Sequence, residues 1–510
     1  MQKSEPLFDL IKSLTKSEKR FFKIYSSRHV IGNENNYVKL FDAINQQPIY
    51  NETALLQRFK TQKFAKRLSV AKTYLYELIL KSMNACHASR SLETQIADWL
   101  GQARFLLEKG LYQQSLKWVN KAKKAALERE KTALLPQIVE LHKQIIDLLA
   151  YQQYPTQILR AIYDAECQTL EQLVNKNEYW LLQAKLYAFY NDKGMMRNPS
   201  DVDQLAGVFN SPLLKDEKQA LSHAALISFY RIYATYFFIA RDFKNCYQYS
   251  QKLVQTIESR PDLRNDNQFL YVQSVNNLLN MTTAPEKAAE RQTYLQELAL
   301  MLTNESLKHN EPLQIKLFEA YYYHQITGCI STGRFFEGEY LIAQLEEGLQ
   351  RWYNKIDAMG QTMLCFYGFH LCFGCERFAE AYRFLVRILA MPPHVVRDDI
   401  YCFSRILSLL AAYELGTPQI LKKCVQQTYK YLVQRQRRYQ FESLVVQFLR
   451  QVVHANTELN FQGLLHDLHK QLLELQTHHF ESKALAYFDF VVWVESKLQN
   501  KSFATVMGGR

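Results

Sequence analysis

Three groups of side chains are of types that could carry chemistry. Cys372 and Cys375 form a CxxC pair, with Cys365 and His370 close by in the chain. A zinc site needs a second ligand pair at matching spacing, and a redox CxxC sits at a helix start beside a βαβ pattern. Neither context surrounds these residues, so the thiols are expected to act as small core groups. His466 and His469, with His478 and His479 downstream, form the histidine cluster. A pair at i, i+3 can share a metal, but no HExxH and no suitably spaced carboxylate accompanies it, and exposed helix histidines are expected. The third group is cationic. Lys16, Lys19, Arg20 and Lys23 fall at i, i+3, i+4 and i+7 and so share one helix face. Such a stripe reads either as a solvated surface or as a patch for phosphate or an acidic partner. Arg435, Arg437 and Arg438 stand near a helix C-terminus, where the helix dipole favours cations without any ligand.

No phosphate-binding glycine loop, dinucleotide fingerprint, nucleophile elbow or deaminase signature occurs in the 510 residues. No catalytic residue, metal or cofactor is therefore assigned, and the chain is expected to be non-enzymatic. The N-terminus lacks an apolar segment of signal-peptide type, and the longest apolar run, Tyr233 to Ala240, is far shorter than a membrane span. Nine scattered cysteines form no disulfide framework. A soluble cytoplasmic protein without a membrane partner is expected.

The elements that must position these groups are helices. Sixteen glycines and twelve prolines in 510 residues leave few turns. Leucine, glutamine, lysine and alanine are abundant, and alternating β-branched runs are missing, so the fold class is all-α. Charge divides the chain. Residues 1–90 hold 16 Lys and Arg against 7 Asp and Glu, a net +9 of the total +12, which defines a basic N-terminal helical bundle. Within it Thr15 to Glu18 is a capping box that starts a helix near Lys16, with Phe21, Phe22, Ile24 and Tyr25 on its apolar side. A longer helix follows from about Leu68 to Met83. Its Val70, Ala71, Tyr74, Leu75, Leu78 and Ile79 cover most of the circumference, which places it at the centre of a bundle rather than in a DNA groove.

Downstream, one pattern recurs. Tyr112 precedes Ser115, Phe243 precedes Cys246, Phe335 precedes Gly338 and Phe378 precedes Ala381, each pair an aromatic just after a turn and a small residue three positions on. The offset puts both on one helix face, where the ring packs and the small residue admits a second helix. Intervals of 131, 92 and 43 residues between the aromatics approximate three, two and one multiples of about 44. Trp99, Ala103, Leu106, Gly110, Tyr112, Ser115 and Ala122 match the offsets of the tetratricopeptide repeat, and Phe378, Ala381, Leu385 and Pro393 match its second half, although Phe369 stands where that pattern has glycine. The chain resembles the tetratricopeptide family. The resemblance implies an α-solenoid of stacked helical hairpins over 91–500, while the Gly, Pro, Asn and Ser concentrated at about 191–212 mark an irregular insertion and residues 501–510 are expected to be a flexible tail. The resemblance further implies a scaffold or adaptor that holds a protein or peptide on a curved surface. An alternative is a regulator whose basic head binds nucleic acid while the repeat body senses a ligand. The family's carboxylate clamp has no counterpart here.

Overall fold

A computed structural model describes residues 5–27, 36–87, 91–151, 154–196, 199–282, 285–308, 310–353, 355–393, 395–434, 440–454, 458–477, 485 and 487–509. These are almost entirely helical, with no strand among the described residues. Two compact units divide at 173/174.

The first unit opens with α1 (Pro6–Ser13), α2 (Lys16–Ser27), α3 (Asn36–Gln46), α4 (Glu52–Arg58) and α5 (Leu68–His87). The capping box forms as expected: Thr15 N donates to Glu18 Oε2 at 2.8 Å and Glu18 N to Thr15 Oγ1 at 3.3 Å. Phe22, Phe41, Leu75 and Ile79 meet in the core of this bundle. On α2 only Phe22 of the four apolar residues is fully buried, and Ile24 is exposed. Helix α5 also departs from expectation. It buries Leu68, Ala71, Leu75 and Ile79 but exposes Val70, Thr73, Tyr74, Glu77 and Lys81, because α1, α2 and α3 all pack on one side of it. A second buried cluster joins α6 (Leu92–Glu108), α7 (Tyr112–Glu128) and α8 (Leu135–Leu148).

Helix α9 (Thr156–Lys193) runs unbroken where separate helices are expected at 156–175 and 178–190. No glycine or proline interrupts it. Asn175, near the expected break, is instead buried as a clamp: it donates to Gln219 O and accepts from Leu221 N, both at 3.0 Å. The expected irregular insertion at 191–212 is largely helical, since α9 reaches Lys193 and α10 spans Pro199–Phe209.

The second unit continues with α11 (His223–Ala240), α12 (Phe243–Glu258), α13 (Pro261–Asp266), α14 (Gln268–Leu279), α15 (Ala288–Thr303), α16 (Glu311–Ser331), α17 (Tyr340–Trp352), α18 (Ala358–Gly374) and α19 (Phe378–Ala390). After these come α20 (Asp398–Glu414), α21 (Pro418–Gln434), α22 (Gln440–His454), α23 (Glu458–Gln476), α24 (Phe490–Leu498) and α25 (Phe503–Gly508). Neighbours in sequence pack as pairs, α11 on α12 and α18 on α19, as α6 does on α7 in the first unit. The tail at 501–510, expected to be flexible, forms α25. Ser502 caps it, and the Phe503 ring stacks on Phe488 with centroids 5.2 Å apart.

All four aromatic positions flagged by the sequence stand at equivalent corners. Two residues before each, the chain turns left-handed: Gly110 (φ 72°), Arg241 (φ 62°), Gly333 (φ 66°) and Glu376 (φ 60°). The next amide then closes onto a carbonyl five residues back, Leu111 to Leu106, Asp242 to Phe237, Arg334 to Cys329 and Arg377 to Cys372, at 2.8–2.9 Å. This is a Schellman motif, and its repetition gives four helix pairs the same turn. The small residue is the constant element: Ser115, Cys246, Gly338 and Ala381 are all buried. Ser115 Oγ and Cys246 Sγ each donate to the carbonyl twelve residues back, Ala103 and Ala234. The ring is not constant. Phe335 is buried, Tyr112 and Phe378 are half-buried, and Phe243 is 53 % exposed, which corrects the expectation that the aromatic always packs.

At the α18–α19 corner the two backbone effects oppose each other. A methyl on Gly374 would overlap the Phe335 ring, whereas exposed Glu376 holds a conformation that glycine adopts without strain. Gly374→Ala is therefore expected to lower unfolding stability by about 1–3 kcal/mol, and Glu376→Gly to raise it by roughly 1 kcal/mol. Urea denaturation of the two variants tests the opposite signs.

Candidate functional site

The cationic face of α2 is only half available. Lys19 Nζ donates to Asn45 Oδ1 at 2.8 Å, and Lys23 pairs with Asp42 at 2.6 Å, so both serve the α2–α3 contact. Burial and neighbouring Lys12 push the Lys19 amine pKa down. Lys16 and Arg20 project into solvent. Elsewhere in the bundle Glu5 and Glu52 pair with Lys72 at 3.1 and 2.6 Å and Glu18 holds the α2 cap, while Glu77 of α5 is exposed. Lys60, Lys66, Arg67 and Lys81 remain exposed, so the surface is strongly basic.

The cysteines are packing groups. Cys365, Cys372 and Cys375 are buried, and burial pushes their thiols up to about 12, 12 and 11. Cys375 Sγ donates to Phe335 O at 3.2 Å. No cluster able to hold a metal occurs among the described residues. His466 is exposed, but His469 is half-buried and lies 3.1 Å from Glu495 Oε1. His478, His479, Arg435, Arg437 and Arg438 lie outside the described residues.

The repeat-packing residues separate into two settings. Trp99 and Tyr112 are half-buried around the α6–α7 pair, whose α6 face is open. Ala97, Asp98, Gly101, Gln102, Phe105 and Leu106 of α6 line a groove of about 590 Å³ together with Trp118 of α7. Phe105 is 58 % exposed at its centre. Lys117, Lys121 and Lys124 lie exposed on α7, with Lys121 Nζ 4.3 Å from the Trp99 ring centroid.

In the second unit the corresponding first helices are covered. From Leu364 to Gly374 every residue but Tyr367 is buried, and from Ile400 to Ala412 every residue but Arg405. The cover is the chain's own: Tyr190 of α9 and Met195 just beyond it, Leu485, Tyr487, Phe488 and Asp489, and Phe503 and Met507 of α25. Between the cover and the helices lies a cavity of about 420 Å³, also walled by Phe238, Tyr323, Phe335, Phe366, Tyr367 and His370.

One wall of the cavity is a polar cluster that local sequence did not reveal. Arg397 grips Asp399 with two bonds, Nε to Oδ1 at 3.0 Å and Nη2 to Oδ2 at 2.5 Å, while Nη1 donates to the Tyr190 hydroxyl. Tyr487 O–H donates to the same carboxylate. Burial alone would disfavour ionised Asp399, but Arg397 and Tyr487 outweigh it and lower its pKa. Tyr190 stands 207 residues from Arg397, and no spacing rule joins them.

His370 faces the cavity with Nε2 unpartnered, and only 9 % of the residue is exposed. Burial drives its pKa down to about 3, while a bond to the Tyr487 backbone opposes the shift. The ring is therefore neutral, with Nδ1–H engaged and Nε2 a bare acceptor. His324, against Asn276 O at 3.0 Å, is likewise driven down to about 3, first by burial and then by Arg291.

No protein-family model, curated protein or solved structure matches the chain.

Both histidines have folded-state pKa values below the unfolded value of about 6.5. Between the two values the unfolded chain binds protons that the folded chain does not, so stability is complete above pH about 6.5 and drains as pH falls toward 3. The expected slope is about 1.4 kcal/mol per pH unit for each histidine. Urea midpoints measured from pH 7 to 4.5 should fall, and His370→Gln should reduce the slope. A flat profile would contradict neutral burial.

Proposed function

We propose that the chain is a non-enzymatic helical-repeat scaffold or adaptor that holds a protein or peptide partner. The observation that carries this reading is the repeated corner. One turn geometry and one buried small residue recur at Tyr112, Phe243, Phe335 and Phe378, and further helices begin at Thr156, Pro199, Ala288 and Pro418. Starts at 112, 156, 199, 243 and 288 are 43 to 45 residues apart, which supports a solenoid of hairpins with long repeats. Stacked hairpins present side chains of their first helices to a partner. Here the open first helix is α6, whose groove around Phe105 and Trp118 offers rings of the kind that dominate protein contacts.

A partner seated in that groove depends on Phe105. Among proteins retained by the immobilised full chain, the specific one is expected to be lost with Phe105→Glu and with Gly101→Arg. Circular dichroism should remain unchanged, because both positions are exposed. Retention of every captured protein by both variants would rule the groove out.

A second reading, a nucleic-acid-binding regulator, draws on a separate observation. Helix α5 keeps a solvent-facing side, and Glu5, Glu52 and Asp42 are spent on lysine pairs, so Lys16, Arg20, Lys60, Lys66, Arg67 and Lys81 face outward with exposed Glu77 as the counter-charge on α5 itself. If this surface meets a duplex, the affinity of the full chain should fall steeply with salt, by about 0.9 log unit per log unit of salt for each phosphate neutralised. Lys16→Glu with Arg20→Glu should then reduce that slope. Fluorescence anisotropy with a labelled duplex at several salt concentrations measures it, and binding that ignores salt removes this reading.

A further inference from the structure

The cavity of the second unit has a composition that selects a ligand. Its volume, about 420 Å³, lies within the range of small-molecule sites. Rings of Phe238, Tyr323, Phe366, Tyr367 and Phe488 supply faces and edges for another ring. Charge does not call for an ion. Arg397 is neutralised by Asp399 through two bonds, and the other charged wall residues, Arg241 and Asp489, are one of each sign. No wall tyrosine hydroxyl lies within hydrogen-bond reach of His370 Nε2: Tyr323 gives its proton to Tyr367, and Tyr487 gives its own to Asp399. One buried acceptor, His370 Nε2, is thus left without a donor in a site walled mainly by aromatic and aliphatic side chains. A buried polar atom of this kind requires a partner.

We propose that this cavity binds an uncharged aromatic ring bearing one N–H or O–H, seated so that this group donates to His370 Nε2. The aromatic walls hold the ring, and the histidine selects for the donor. Met195, Met363 and Met507 border the space, and their flexible side chains let it adapt to ring shape. The same chemistry arrives in two ways, as a free small molecule or as a tryptophan or tyrosine side chain of a peptide. The site stands independently of the scaffold reading, and its failure would leave the Phe105 groove untouched.

Indole and benzofuran share one shape and differ in the N–H, so titration calorimetry of the full chain with each reads the histidine directly. Indole is expected to bind at least tenfold more tightly than benzofuran, since the latter leaves Nε2 unpaired. His370→Phe should abolish the difference, and Met363→Trp, which fills the space, should abolish indole binding. Equal affinity for the two probes, or no indole binding at millimolar concentration, overturns the proposal, and both are read on the unaltered chain. The tripeptide Gly-Trp-Gly then separates the sources. Binding comparable to indole assigns a partner's side chain, and exclusion assigns a free molecule.

Discussion

Helix α18 has no side that water can be allowed to touch. From Ala358 to Gly374 it carries no charged residue, and its rings, thiols and aliphatic groups point all around the axis. A helix apolar on every side has to be enclosed. In the second unit α16 and α19 flank it, and the end of α9 and residues 485–507 close the remainder. Because these coverings come from distant parts of the chain, their fit is incomplete, and the cavity is the space they leave.

The corners show how such enclosure is reached with few glycines. Two of the four left-handed turn residues are glycine, but Arg241 and Glu376 adopt the same conformation with a side chain attached. The scarce glycines also serve close approach: Gly374 lies under the Phe335 ring and Gly348 under Phe318, where any side chain would collide. Turn geometry and helix contact thus compete for one residue type, and at the α18–α19 corner contact takes the glycine while the turn takes glutamate.

Much of the helical framework was legible because its determinants are local. The Thr15–Glu18 box is a four-residue pattern, and it forms as the residues dictate. The aromatic and small pairs marked four corners correctly, since a helical offset of three is a local rule. Thr156, Pro199 and Ala288 begin helices on the same spacing without such a pair, so only the interval betrays them. What escaped depends on distance. A helix end expected near 175 gives way once Gln219 and Leu221 are brought to Asn175, and residues 501–510 read as loose until Phe503 finds Phe488. The helical wheel of α5 counts apolar residues but not the neighbours available to cover them, so it makes the wet side narrower than it is: Val70 and Tyr74 are exposed beside Thr73, Glu77 and Lys81. The candidate site was the least legible part. His370 was noticed beside the CxxC, whereas Arg397, Asp399, Tyr190 and Tyr487 are ordinary residues until folding assembles them.

The closure by α25 also orders events during synthesis. The walls around His370 span Tyr190 to Met507, so a nascent chain carries the apolar inner side of α18 uncovered until Met507 has left the ribosome. Throughout that interval the stretch from Leu364 to Gly374 is the kind of exposed apolar surface that aggregates, and the arrival of α25 is the latch that ends the exposure.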